Sequence, residues 1–185
     1  MKNEINPWTI ISSEEKYDNP WINLTEYQVI NPNGGKGIYG KVHFKNLAIG
    51  ILPINDKDEI VLIGQYRFPL DVYSWEIPEG GGKIGIDPLE SAKRELLEET
   101  GLKANRWAKL LEMHLSNSVS DELAIIYVAE DLEQFEAEPE ETEQLEIKKV
   151  TFEEALKMVM DGEITDSMTV AAILKYQILR TSDLK

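Results

Sequence analysis

Apolar and polar positions along the chain order it into strands first and helices last. Residues 46–53, NLAIGILP, and 59–66, EIVLIGQY, are nearly continuous apolar runs of strand length. Separated by the turn Asn55-Asp56-Lys57-Asp58, they predict two buried strands. Upstream, Trp21 to Thr25 and Glu26 to Ile30 predict two short strands ahead of the turn Asn31-Pro32-Asn33-Gly34-Gly35. Ser74 to Pro78 reads as a short strand feeding a glycine-rich loop, and Leu110 to His114, Leu123 to Ala129 and Ile147 to Val150 predict further strands.

Helical spacing appears in three places. Asp87-Pro88-Leu89-Glu90 offers a capping carboxylate, a proline at the first helical position and a glutamate to close a capping box, and Gly101 offers a stop. Leu89, Ala92 and Leu96 share the core face of that helix. Thr151-Phe152-Glu153-Glu154 opens a second helix carrying Ala155, Leu156, Val159 and Met160 up to Gly162. Asp166 caps a third, with Met168, Ala171, Ala172, Leu174 and Ile178 as its apolar positions. This order predicts an α+β fold in which helices flank a mixed sheet.

The charge balance narrows the function. A net charge of −15 over 185 residues repels nucleic acid and anionic membrane, so neither is an expected partner. An acidic protein that handles phosphates must bring cations to them. With no cysteine there is no disulfide, thiol nucleophile or thiolate metal site. His43 and His114 are the only histidines, which argues against a His-rich zinc site, and each is read as structural or surface. No apolar run is long enough to span a bilayer, and the polar start lacks a signal-peptide core, so the expected location is cytoplasmic.

Candidate chemistry concentrates on the first helix. Glu95, Glu98 and Glu99 fall within an arc of roughly 100° beside its core face, with Arg94 four residues before Glu98. Like charges this close repel, and a bound divalent cation offsets that repulsion. Oxygen-only ligands suit Mg²⁺, with Mn²⁺ as the alternative. The preceding Glu79-Gly80-Gly81-Gly82 lets backbone approach a metal or phosphate closely.

The segment Gly80 to Leu102 resembles the signature of the Nudix hydrolases, G-x5-E-x7-R-E-U-x-E-E-x-G-U, where U is a bulky aliphatic residue. Gly80, Arg94, Glu95, Leu96, Glu98, Glu99, Gly101 and Leu102 match in register, and Ile86 stands where the signature has its first Glu. The resemblance implies a Nudix-type α/β/α sandwich for about residues 46 to 180. It also implies Glu95 and Glu99 as metal ligands, with Glu98 assisting and the Glu79 carbonyl joining them. The missing Glu at Ile86 bears on loop geometry and metal occupancy more than on activity.

Other segments resemble the ADP-ribose and nucleoside-diphosphate-sugar pyrophosphatase branch of that family. Gln65-Tyr66-Arg67-Phe68-Pro69 is similar to its Q-Y-R element, with Arg67 a planar fork suited to phosphate oxygens. Ser74 to Gly80 is similar to its E-x-P-x-G approach, making Glu76 a candidate site residue. The run Glu130 to Glu146 holds many acids and no Lys or Arg. It reads as a solvated, mobile loop or, by resemblance, as the loop that supplies a Glu to the site, Glu141 or Glu143, as general base or additional metal ligand. Ser116 to Glu122 aligns with the S-P-G-x-[ST]-[DE]-E element of ADP-ribose hydrolases, with Asn117 for Pro and Ser118 for Gly, which leaves a related nucleotide sugar open.

The resemblance therefore implies an N-terminal β extension, 1–45, that pairs into a homodimer, followed by a Nudix hydrolase domain, 46–185. Trp21 and Trp8 of the extension are candidates to clamp a base. The implied activity is Mg²⁺-dependent hydrolysis of a nucleoside diphosphate sugar to a nucleoside monophosphate and a sugar phosphate. The alternatives are hydrolysis of nucleoside triphosphates or dinucleoside polyphosphates, and a non-catalytic sensor of nucleotide metabolites.

Overall fold

The structure is a computed structural model that describes residues 5–136 and 145–182. It divides into two compact units, residues 1–46 with 116–122, and residues 47–115 with 123–185.

The first unit is an antiparallel sheet of β1 (Thr9–Asp18), β2 (Ile22–Ile30) and β3 (Lys36–Phe44) in sequential order. The two short strands expected over residues 21–30 are one continuous strand, because β3 pairs with it without a break from Ile22↔Phe44 to Ile30↔Lys36. Residues 116–122 are fastened to β3. The Val42 amide donates to the Val119 carbonyl at 2.8 Å and the Phe44 amide to Asp121 Oδ1 at 3.0 Å. Lys41 Nζ and His43 Nδ1 both reach Asp121 Oδ2 at 2.8 Å. Partial burial opposes ionisation of Asp121, but these donors outweigh it and hold the carboxyl well below the usual range. Ile10, Ile11, Tyr17 and Ile38 are exposed, while Val29 is buried, so this thin sheet encloses little core.

The second unit has a four-stranded mixed sheet of order β7-β4-β9-β8 and a three-stranded antiparallel sheet of order β10-β5-β6. The strands are β4 (Asn46–Pro53), β5 (Glu59–Arg67), β6 (Val72–Glu76), β7 (Glu79–Lys83), β8 (Leu102–His114), β9 (Leu123–Gln134) and β10 (Glu146–Thr151). The helices are α1 (Pro88–Thr100), α2 (Phe152–Met160) and α3 (Ser167–Thr181). β4 and β9 run parallel, and the other recorded pairs, β8–β9, β5–β6 and β5–β10, are antiparallel.

Period-two alternation explains the layers. Ile49 and Ile51 of β4 and Ile125, Tyr127 and Ala129 of β9 pack with Ala92 and Leu96 of α1. The intervening Leu52, Ala124, Ile126 and Val128 pack with Phe152, Ala155, Met168, Ala172 and Ile173 of α2 and α3. Both faces are buried, which is why these strands read as continuous apolar runs. The result is the expected α/β/α arrangement.

Three local expectations differ from the structure. The glycine segment is strand β7, because its backbone bonds to β4. The acidic run is not a loop from Glu130 onward, because β9 continues to Gln134 against β8. On α3 the core is made by Met168, Thr169, Ala172 and Ile173, while Leu174 and Ile178 face solvent. The caps are as expected. Asp87 accepts from the Leu89 amide at 3.0 Å, Thr151 from Glu154 at 3.1 Å and Asp166 from Thr169 at 2.7 Å. Glu90, however, pairs with Lys93 at 2.7 Å. No described helix is long and apolar enough to cross a membrane.

Candidate active site

The site lies where the chain passes from β6 to β7 beneath α1. Glu76 ends β6 and Glu79 begins β7, with Ile77 and Pro78 between them. Glu76 is 2% exposed, and Glu95 and Glu99 of α1 are 8% and 3% exposed, so three carboxylates are withdrawn from bulk water. Such groups require positive charge or donors.

Two arginines supply part of it. Arg67, at the end of β5, donates from Nε to both oxygens of Glu76 at 2.9 Å and from Nη2 to Glu76 and Glu79. Burial opposes its charge, but Glu76, Glu79 and Asp166 outweigh that and raise its pKa further. Arg94 bridges Glu98 and Glu95, each at 2.5 Å, and donates to the Gly81 carbonyl at 3.1 Å.

The backbone of β7 closes against α1. The Glu79 amide donates to Glu99 Oε2 at 3.0 Å. A Cβ on Gly80 would stand 2.2 Å from the Glu95 carboxyl carbon, so only glycine lets this carboxylate lie against the strand. The Glu79–Gly80 backbone thus meets both Glu95 and Glu99. Glu79 Oε2 is buried without a hydrogen-bond partner among the described residues. Burial, followed by the charges of Asp166 and Glu76, pushes its carboxyl pKa well up against the opposing effect of Arg67. An oxygen-only donor set with an orphaned buried oxygen fits a hard divalent cation.

The sequence pattern of the NUDIX domain matches residues 44–168, the stretch that contains every one of these groups. The chain belongs to the Nudix family. The pattern of a nucleoside diphosphate sugar hydrolase N-terminal domain matches residues 8–42. An ADP-ribose pyrophosphatase of Bacillus subtilis (strain 168) is 34% identical over 170 residues, 91% of each chain. A methanol dehydrogenase activator of Bacillus methanolicus is 32% identical over 170 residues, again 91% of each. A crystal structure of an ADP compounds hydrolase superposes with a TM-score of 0.85 over 96% of both chains at 23% identity, which shows the shared fold.

As a Nudix hydrolase the chain departs from its signature at Ile86, which is 49% exposed. The turn there is closed by backbone, the Ile86 amide donating to the Lys83 carbonyl at 3.1 Å, with Gly85 at a φ of 90°. Glu98 is only partly buried and is held by Arg94. Glu141 and Glu143 lie outside the described residues. Trp21 belongs to the first unit, at the turn before β2, and is 66% exposed. Trp8 is also in that unit, edge-on to Tyr39 at 5.4 Å. It lines a cavity of about 430 Å³ with Tyr27, Lys41, Asn117 and Ser118.

Sequence reasoning missed Asp166 as part of the site. Its carboxylate groups with those of Glu76 and Glu79, the ligand oxygens all within 4.8 Å of one another. Asp-x-x-Thr at a helix start signals a cap and nothing more, and the separation of 87 positions or more between Asp166 and the two glutamates hides the cluster from any local pattern.

Proposed function

We propose that this Nudix hydrolase cleaves the pyrophosphate bond of a nucleoside diphosphate sugar, ADP-ribose or a close analogue, to a nucleoside monophosphate and a sugar phosphate. The observation that carries the reading is the closure of Glu95 and Glu99 on the Glu79–Gly80 backbone beside the Arg67 fork. The sugar-nucleotide class is supported by the match over residues 8–42 and by the name of the Bacillus subtilis relative.

In this reading the Glu79 carbonyl, Glu95 and Glu99 hold Mg²⁺ or Mn²⁺, with Glu98 in support. The ion, when bound, supplies charge to the phosphate oxygens and acidifies a water. Arg67 turns its guanidinium toward the diphosphate while Glu76 orients it. Glu141 or Glu143 takes the proton of the attacking water. The N-terminal extension, residues 1–45, pairs two copies of the chain, and Trp21 and Trp8 help clamp the base. Support for pairing is the exposed Ile10, Ile11, Tyr17 and Ile38 on a three-stranded sheet with little core of its own.

The test is a Mg²⁺ panel of ADP-ribose, ADP-glucose, GDP-mannose, UDP-glucose and a diadenosine polyphosphate, with products identified. Nucleoside monophosphate plus sugar phosphate is expected. Release of inorganic pyrophosphate from nucleoside triphosphates alone, or tight binding without any product, would overturn the proposal.

A further inference from the structure

Ile77 and Pro78, between β6 and β7, belong to no strand, yet they join the two site carboxylates Glu76 and Glu79 and lead into the backbone on which Glu95 and Glu99 close. Among the described residues, backbone bonds to β4, α1 and α3 hold residues 77–79. The Ile51 amide donates to the Pro78 carbonyl at 2.9 Å, and the Glu79 amide donates to Glu99 at 3.0 Å. The third comes from α3: the buried Ile77 amide donates to Thr169 Oγ1 at 2.9 Å.

Thr169 is 0% exposed, so its hydroxyl has no water to turn to. Its proton goes to Asp166 Oδ2 at 2.8 Å, the same oxygen that accepts the Thr169 amide at 2.7 Å. A hydroxyl whose proton is committed to a carboxylate keeps a lone pair directed the other way, at Ile77. Capping α3 needs only the bond from Asp166 to the Thr169 amide. The further link through Oγ1 to Ile77 serves the β6–β7 segment. Asp166 also stands within 4.8 Å of the Glu76 and Glu79 ligand oxygens, so one side chain both caps the helix and bounds the acidic site.

We infer that Asp166 and Thr169 are positioning residues of the hydrolase. The chain Asp166 Oδ2–Thr169 Oγ1–Ile77 N holds residues 76–79 where Glu76 and Glu79 meet Arg67 and where Glu79–Gly80 meets Glu95 and Glu99. The inference rests on the function proposed above.

The decisive variant is Thr169→Val, which keeps the side-chain shape and the amide bond to Asp166 but removes both hydroxyl bonds. Thr169→Ser restores them. For each, kcat and KM are measured on the nucleotide sugar the wild type hydrolyses fastest, Mn²⁺ affinity is read by electron paramagnetic resonance without nucleotide, and Tm is recorded. Thr169→Val is expected to lower kcat by about tenfold to a hundredfold, as a small displacement of reacting groups does. Mn²⁺ binding should weaken by about tenfold, the scale seen when partners that orient ligands are lost. Thr169→Ser should recover most of both.

A Thr169→Val protein with a lower Tm but wild-type kcat and Mn²⁺ affinity would overturn the inference and leave Thr169 a core residue. If Thr169→Val does not fold, Thr169→Ala, which also lacks the hydroxyl and keeps the amide bond to Asp166, is read the same way. Wild-type protein inert toward every nucleotide sugar would refute the proposed function, and the Mn²⁺ comparison would still decide the positioning role.

Discussion

Gly80→Ala separates the site from the fold. The added methyl would meet the Glu95 carboxylate at 2.2–2.5 Å, where ordinary contact begins at 3.4 Å. The obstacle is the far end of a side chain, so Glu95 retreats by about 1 Å and the strand stays in place. The fold therefore loses little, about 1 kcal/mol, the low end for overpacking. Activity loses far more, because a retreat of this size at the proposed metal ligand costs on the order of a hundredfold in kcat. Retreat also disturbs the 2.5 Å bond from Arg94. Gly81→Ala is the control, since its methyl meets nothing within 4 Å. The assay is steady-state hydrolysis of a nucleotide sugar at saturating Mg²⁺, with Tm by calorimetry. A Gly80→Ala enzyme with wild-type kcat, or one whose loss is matched by Gly81→Ala, would refute the placement of Glu95 against the strand.

Three further outcomes follow from the same geometry. Arg67→Lys loses the fork that spans Glu76 and Glu79, so stability falls by about 2 kcal/mol in urea melts and KM rises; unchanged melts would show the fork idle. Asp121 has a folded pKa below the ordinary carboxylate value of about 4, so it stabilises the chain at neutral pH. That contribution fades as pH falls below about 4. Since its side chain is 33% exposed, Asp121→Asn should cost only about 1 kcal/mol at pH 7 and progressively less in acid; an equal cost at pH 7 and pH 3 would contradict this. Mn²⁺ at about 100 times its Kd should raise stability by about 2.7 kcal/mol and EDTA should reverse the gain along with all activity; a Tm indifferent to both would exclude a shared ion at Glu95 and Glu99.

Much of the framework was legible along the chain. The runs at 46–53 and 59–66 are β4 and β5 nearly to the residue, and the caps at Asp87, Thr151 and Asp166 act on the amides expected of them. These features rest on residues a few positions apart. Strand lengths were underestimated at β8 and β9 because their outer halves pair with each other while carrying polar side chains, so pairing rather than apolar content extends them. Strand β1 over residues 9–18 was not anticipated for the same reason, every one of its positions being exposed.

The sequence by itself determined the carboxylate spacing on α1, its family signature and the alternation that buries both faces of the central strands, because each depends on local periodicity. Tertiary structure decided what those carboxylates meet. Gly80 against Glu95, Arg67 across Glu76 and Glu79, and Thr169 on Ile77, 92 residues away, are contacts between elements that only packing brings together. No local pattern encodes them, because the free energy that brings these elements together comes from burying the apolar faces of α1, α3 and the central strands, which offsets the cost of enclosing the charged groups.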